Sequence, residues 1–293
     1  NSITMAMNFP EIWERRVHQT LSQGGTADFL DGVQELDGDV MEMGENNVIH
    51  IPTTEFKPDV LINNSTYPLL VQSYTENEVT VRLDKYQTKP TKVTDDQTIG
   101  SSYDKIDAVT RAQTNEISVR KYGKAIHALA PTQNTASTPV LTLAGTECTY
   151  NDLVALKAKC DKAGWPLAGR RLVLCFDHYN ALLKDRERFG DQLINYRQGQ
   201  VSPVIAGFEI KTYEQHPYYS SAGQKIAFDQ VPTSSDKPAS VAFVVPAVRK
   251  KTGLTKQYYS EAKQDPTNQA NLLAYRHYFI AVPLENKYIA ALI

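Results

Sequence analysis

A chain of 293 residues with 41% apolar and 22% charged side chains can bury one large core or two ordinary ones, which excludes an intrinsically disordered polymer. Its 31 basic and 33 acidic residues leave a formal charge of −2, which excludes the strongly basic field that sequence-specific DNA binding draws on. No apolar run reaches the ~18 residues of a membrane-spanning helix, and Cys148, Cys160 and Cys175 sit at no metal-ligand spacing and are expected as reduced, mostly buried thiols.

The mean hydropathy of −0.40 suits a chain carrying long surface arms. Sixteen tyrosines against nine phenylalanines suit interfaces, where a ring packs and its hydroxyl stays wet. The opening residues, Asn1-Ser2-Ile3-Thr4-Met5, lack a basic-then-apolar signal pattern, so folding in a cytosol is expected.

In residues 1–45, Phe9, Ile12, Trp13, Val17 and Leu21 recur at helical spacing before the hinge Gly24-Gly25. One apolar stripe on a short terminal helix needs a partner surface. Phe29, Leu30, Val33, Leu36 and Val40 are scattered among Asp, Gly and Glu, so the whole segment reads as an arm. From Asn46 the pattern alternates with period two through Val48, His50 and Pro52, and again through Val79, Val81 and Leu83, predicting two strands. Between them, Lys57-Pro58-Asp59 and Asn63 to Pro68 form a linker far longer than the ~2 to 5 residues of a tight hairpin. Residues 46–96 are therefore expected as an extended β-hairpin loop.

The strongest helix is predicted from Ser101-Ser102, as N-cap candidates with Asp104 in the first turn, to Ala130 before Pro131 (segment 97–135). Val109, Ala112, Val119, Tyr122, Ile126 and Leu129 are expected on its buried side. Gly123 costs roughly 1 kcal/mol relative to Ala, so close packing or a bend is expected there. Residues 136–235 then follow mixed α/β grammar. Thr149-x-x-Asp152 looks like a capping box, Leu153, Leu156 and Cys160 make a stripe, and Ala163-Gly164 ends the helix. Arg171 to Cys175 reads as a buried strand, Asp177 as a helix N-cap, and Val204 to Ile210 as another strand. In residues 236–293, Val241 to Val245 and Tyr278 to Pro283 are strand-like, and the apolar ending Tyr288 to Ile293 is expected to be tucked in.

An arm, a long two-stranded excursion, a solitary long helix and a compact α/β body, in that order, resemble the Hong Kong 97-type fold of tailed-phage major capsid proteins. The local likeness lies in Asp152-Leu153 to Gly164-Trp165-Pro166 followed by Gly169-Arg170-Arg171-Leu172-Val173-Leu174. It continues in Tyr179 to Leu183, in Val204-Ile205-Ala206-Gly207-Phe208-Glu209-Ile210, and in Tyr275 to Pro283. The resemblance spans essentially the whole chain. It implies an α+β capsid fold with an N-terminal arm, an extended β-hairpin loop, a spine helix in a peripheral domain, and a mixed axial domain. It also implies a non-enzymatic shell subunit without cofactor or metal, assembled in the bacterial cytoplasm into the virion. The expected partners are copies of itself in hexamers and pentamers, scaffolding and portal proteins, and double-stranded DNA by weak non-specific contact, with no membrane.

Apolar groups on an arm and a projecting loop mark binding surfaces. The candidate assembly residues are Phe9, Trp13 and Val17 in the arm, Phe56, Lys57, Tyr67, Leu69 and Leu70 in the loop, and Tyr218 and Tyr219 in the Pro/Tyr-rich stretch Tyr213 to Gln224. Lys57 is also the candidate amine for the Lys–Asn isopeptide link that some members of the resembled family form. Arg249, Lys250 and Lys251 are the candidate nucleic-acid or inter-subunit contact, with a solvated turn before Thr252-Gly253 or a salt bridge between subunits favoured over DNA. Two alternatives remain: an encapsulin-like compartment, which keeps the fold, and an α/β hydrolase using His178 beside Asp177. The second lacks a G-x-S-x-G elbow to present a nucleophile, and His178 reads as an ordinary first-turn residue.

Overall fold

The computed structural model describes residues 27–36, 48–53, 77–184, 194–195, 200–201, 203–264, 267 and 269–293. The chain divides into two compact units, one comprising residues 1–36 with 85–293 and the other Asp37–Asp84. In the smaller unit, β1 (Val48–Thr53) and β2 (Asn77–Arg82) pair antiparallel in continuous register, from Val48 opposite Arg82 to Thr53 opposite Asn77. Both predicted strands are present.

The larger unit runs through β3 (Asp84–Gln87), β4 (Thr91–Thr94), α1 (Asp95–Leu129), β5 (Val140–Leu141), α2 (Tyr150–Lys162), β6 (Arg170–Leu174) and α3 (Phe176–Lys184). Short strands follow as β7 (Ile194–Asn195), β8 (Gln200–Val201), β9 (Val204–Ile205), β10 (Phe208–Thr212), β11 (Tyr218–Tyr219) and β12 (Lys237–Pro238). The last elements are β13 (Ser240–Val244), β14 (Val248–Ser260), β15 (Ala270–Pro283) and β16 (Ile289–Leu292).

The 35-residue α1 extends roughly 50 Å at 1.5 Å per residue. It begins directly after Thr94, so Ser101 and Ser102 are interior residues and not N-caps. The start is set by tertiary pairing, because β4 is held against β15 up to Thr94 opposite Ala270. The buried face is also displaced from the predicted stripe. Tyr122, Ile126 and Leu129 are buried as expected, but Ala112 is exposed and Val119 half-buried. Ile106, Thr110, Gln113, Ile117 and Lys121 hold the buried side at spacings of three and four, and three of the five are polar, so apolar periodicity under-reports this face. Gln113 is satisfied there, donating from Nε2 to Thr91 Oγ1 at 2.7 Å and to Leu273 O at 3.1 Å. At Gly123 the packing is close: a Cβ would lie 3.0 Å from Gln215 Cδ.

Six strands in the order β5-β16-β13-β6-β10-β9 form the central sheet, with β6 parallel to β10 and antiparallel to β13. Alternate residues enter different cores. Val173, Val241, Phe243, Ile289 and Ala291 pack with the C-terminal half of α1, whereas Leu172, Leu174, Ala242, Val244, Ala290 and Leu292 pack with α2 and α3. Burial on both faces explains why these strands read as continuous apolar runs. It also explains the tucked-in C-terminus. The three cysteines are free thiols buried in this body.

The predicted single strand at 204–210 is two. Ala206 (φ 50°) and Gly207 (φ 80°) make a tight turn that returns β9 antiparallel onto β10. At the start of α2, Asp152 accepts from Thr149 N–H at 2.9 Å and Thr149 Oγ1 at 2.7 Å, while its other oxygen accepts from Ala144 N–H at 3.1 Å. Asp152→Ala is expected to cost about 2 kcal/mol in urea unfolding of the unassembled subunit, since three donors lose one acceptor. At the far end Gly164 (φ 73°) turns the chain so that Trp165 N–H reaches Cys160 O at 3.1 Å. Helix α3 begins at Phe176, which makes Asp177 a residue of its first turn and not the N-cap.

Candidate assembly surface

Strands β14 and β15 form the longest hairpin, paired from Val248 opposite Pro283 to Ser260 opposite Leu272 with an irregularity between Thr252 and Thr255. The basic triplet Arg249-Lys250-Lys251 lies inside β14, not in the expected turn. Its alternation of Lys, Thr and Tyr lacks an apolar face, so the sequence did not read as strand. One side of this ribbon packs on α1 through Leu273, Tyr275, Phe279 and Ala281.

Residues 27–36, expected as part of a loose arm, belong to this body. Phe29, Leu30 and Val33 are buried in the same core as Ile126 and Phe243. Leu36 N–H donates to Lys250 O at 2.9 Å, and Lys250 N–H donates to Gln34 O at 3.1 Å. The ammonium groups of Lys250 and Lys251 donate to Leu30 O at 3.3 Å and Leu36 O at 3.0 Å. Arg249 donates to Pro246 O at 2.6 Å and Val248 O at 3.0 Å. Two members of the triplet thus hold residues 30–36 in place. The sequence offered no signal for this, because the partners are backbone carbonyls more than 200 residues away.

Arg171 is the centre of the same anchorage. Its Nε donates to Glu209 Oε2 at 2.9 Å, and its Nη1 donates to Phe29 O at 2.9 Å and Asp31 O at 2.6 Å. Partial burial pushes the Glu209 carboxyl up, but Arg171 and Lys211 outweigh it and hold the group below the usual carboxylate range. Behind the triplet, Lys121 is 1% exposed, with its ammonium 4.7 Å from the centre of the Tyr122 ring and 4.9 Å from that of Phe279. Burial, reinforced by Lys250, lowers it to about 7.

Tyr218 and Tyr219 part company. Tyr218 is 36% exposed, whereas Tyr219 is fully buried and donates its hydroxyl to Pro131 O. Tyr219 is therefore a core residue, not an assembly contact, because strand alternation in β11 turns it inward. Nearby, Lys225 caps the end of α1 by donating to His127 O at 2.8 Å and Ala130 O at 2.6 Å. Phe9, Trp13, Val17, Phe56, Lys57, Tyr67, Leu69 and Leu70 lie outside the described residues.

The hydrolase candidate finds no support in the geometry. His178 is not an ordinary first-turn residue: it is buried, with Nδ1 2.8 Å from Ser240 Oγ, and Ser240 itself is fully buried and accepts from Cys175 N–H at 3.0 Å. Burial lowers the His178 pKa. A hydroxyl sealed inside the sheet cannot meet a substrate. The described surface instead carries scattered large apolar groups, including Leu167, Phe176, Val204, Val231 and Leu254.

The family model described as phage capsid protein matches residues 76–292, and the chain belongs to that family. It is a structural, non-enzymatic subunit of a tailed-phage head shell, resident in the virion, which self-associates into capsomers. The α+β capsid fold is seen again in solved structures. The capsid of cyanophage P-SCSP1u is 13% identical, with a TM-score of 0.63 over 90% of this chain and 86% of that one. Mycobacterium phage Che8 is 15% identical, with a TM-score of 0.57 over 84% of each chain. A virus-like particle from Pyrococcus furiosus is 10% identical, with a TM-score of 0.57 over 97% of this chain and 98% of that one. The phage family model favours the head shell over the encapsulin-like alternative. No curated protein matches the sequence, and among the described residues no helix is long and apolar enough to cross a membrane.

Proposed function

We propose that the subunit builds hexamers and pentamers of an icosahedral shell around double-stranded DNA, with residues 1–26 and the loop 37–84 covering neighbouring copies. Helix α1 with the β3, β4, β14 and β15 sheet serves as the peripheral domain, and the six-stranded sheet with α2 and α3 as the axial domain. The observation that carries this reading is the separate unit Asp37–Asp84, whose described regular structure is a single two-stranded ladder. A lone hairpin is at best marginally stable in water, so a further surface is needed to hold it. Phe56, Tyr67, Leu69 and Leu70 are the apolar groups that such a surface would shelter, and Phe9, Trp13 and Val17 do the same for the arm.

Scaffolding and portal proteins are the expected assembly partners. The near-neutral chain supports weak, non-specific contact with packaged DNA. Negative-stain microscopy of the purified protein tests the reading: closed shells, rings or tubes are expected, and a monomer at all concentrations would refute it. Replacing residues 54–76 by a short Gly/Ser turn is expected to leave a folded body that no longer forms closed shells, as read by circular dichroism and sedimentation.

A further inference from the structure

A groove of about 420 Å³ opens on the side of the central sheet that packs α2 and α3. Pro166, Val244, Pro246, Ala247, Leu284 and Tyr288 line it, where the chain leaves α2 through Gly164 and leaves β13 through Pro246. The wall is almost wholly apolar. Its one acidic residue, Glu285, pairs with Lys287 at 3.2 Å. The rim is basic: the Arg249 guanidinium rests on Pro246 O at 2.6 Å, and Lys162 lies exposed two residues before Gly164. Among the described residues no carboxylate pairs with either cation.

Val231, 82% exposed, is the most exposed large apolar side chain among the described residues, and it lies on the other side of the sheet. The loop that carries it, residues 226–236, is fixed to α1. Asp229 holds φ 67°, unfavourable for a residue with a Cβ, and pairs with Arg120. Phe228 packs edge-on against His127, whose Nε2 lies 2.7 Å from Ile226 O. Thr233 donates its N–H at 2.6 Å and its hydroxyl at 2.7 Å to Asp236. An ion pair, a ring contact and a closed turn thus hold an aliphatic side chain out in water, beside Pro232 and between two aspartates in a stretch without a cation. Because α1 packs on the sheet face opposite the groove, tip and groove of one chain face apart.

We infer that the tip Val231-Pro232 docks in the groove of a second copy of the chain, with Asp229 and Asp236 beside the cations of the rim. The inference rests on the reading of the chain as a shell subunit and names groups that join one copy to the next. Charge complementarity selects the occupant, since an acidic tip is drawn to a basic rim while tip repels tip and rim repels rim. Exposed ion pairs contribute little by themselves, so burial of the valine supplies most of the affinity. Tip and groove on opposite sides of one chain make the contact heterologous, and every copy keeps one of each open until a ring closes. A nucleic-acid phosphate would suit the rim cations, yet it leaves the apolar wall and the held-out valine without a role.

The test uses full-length chains. Val231→Asp changes a side chain that packs on nothing in its own subunit, so the circular dichroism spectrum should be unchanged. It is expected to need about tenfold more protein to form capsomers in sedimentation, whereas Val231→Leu should assemble like wild type. Cysteines then read the contact directly, because the three native thiols are buried. Val231→Cys chains and Glu285→Cys chains are assembled separately, as a mixture, and as a double variant, then oxidised with diamide and run on a denaturing non-reducing gel.

The mixture is expected to give covalent dimers, the double variant a ladder of higher oligomers, and each single variant monomer alone. Assembled mixtures that yield no dimer overturn the inference, as does a Val231→Asp chain that assembles at the wild-type concentration. Dimers of Val231→Cys with itself overturn it in favour of a two-fold contact between tips. A double variant that links only within its own chain overturns the second copy as occupant. A wild-type protein that never associates refutes the shell reading itself, and is distinguished by occurring before any variant is made.

Discussion

Lys121→Met is expected to stabilise the unassembled subunit at pH 7 by about 3 kcal/mol, an unusual direction for a fully buried position. The ammonium sits inside the core that joins α1 to β15, between the rings of Tyr122 and Phe279, and burial lowers its pKa to about 7. An unfolded lysine titrates near 10.4. Between those values the unfolded chain holds a proton that the folded chain sheds, so folded stability rises with pH across about 7 to 10 and is lost toward neutrality. Lys225, lowered by burial to about 8, adds a contribution of the same sign from about pH 8. The ring contacts return part of the cost, which is why the expected gain is below the roughly 4 to 5 kcal/mol that the full shift represents. Urea unfolding at pH 7, 8 and 9 checks both statements. The wild type should gain stability along the series, and the Met variant should start higher and rise less. A Met variant weaker than wild type at pH 7 would show that the charge is compensated in place.

Arg171→Met is expected to act in the opposite direction, costing about 3 to 4 kcal/mol. Removal of the guanidinium leaves Glu209 without its closest cation and leaves the carbonyls of Phe29 and Asp31 without a donor. Segment 27–36 is held to the body by this group, by Lys250 and Lys251, and by its apolar side chains. Limited proteolysis within 27–36 should therefore accelerate along with the loss in urea midpoint. Lys184→Met is the control, since its pair with Glu147 is 68% and 59% exposed and should change stability by less than about 0.5 kcal/mol. Equal effects from the two substitutions would remove the anchoring role of Arg171.

Local patterns carried much of the architecture. Alternation in 48–53 and 77–82 announced the hairpin, the Thr149-x-x-Asp152 spacing announced α2 and its cap, and unbroken apolar runs announced β6, β13 and β16. In each case the residues that determine the element lie within a few positions of one another. Their order along the chain was enough to suggest the capsid fold.

What escaped was decided by partners far away in sequence. The start of α1 depends on β4 being held by β15, and its buried face uses Gln113 and Lys121, which the distant Leu273 carbonyl and Phe279 ring meet, beside the small polar Thr110. Segment 27–36 reads as an arm because its apolar residues are sparse, yet a groove already lined by α1 and β14 needs only a few to close it. The basic triplet became strand because β15 offered it a ladder, and the same ladder sorted Lys250 inward and its neighbours outward. The amino-acid sequence by itself determined the local elements and their order along the chain. Only tertiary structure decided which polar groups are buried and that Lys250 turns inward, because strand register sets both, and register depends on pairing across the whole chain.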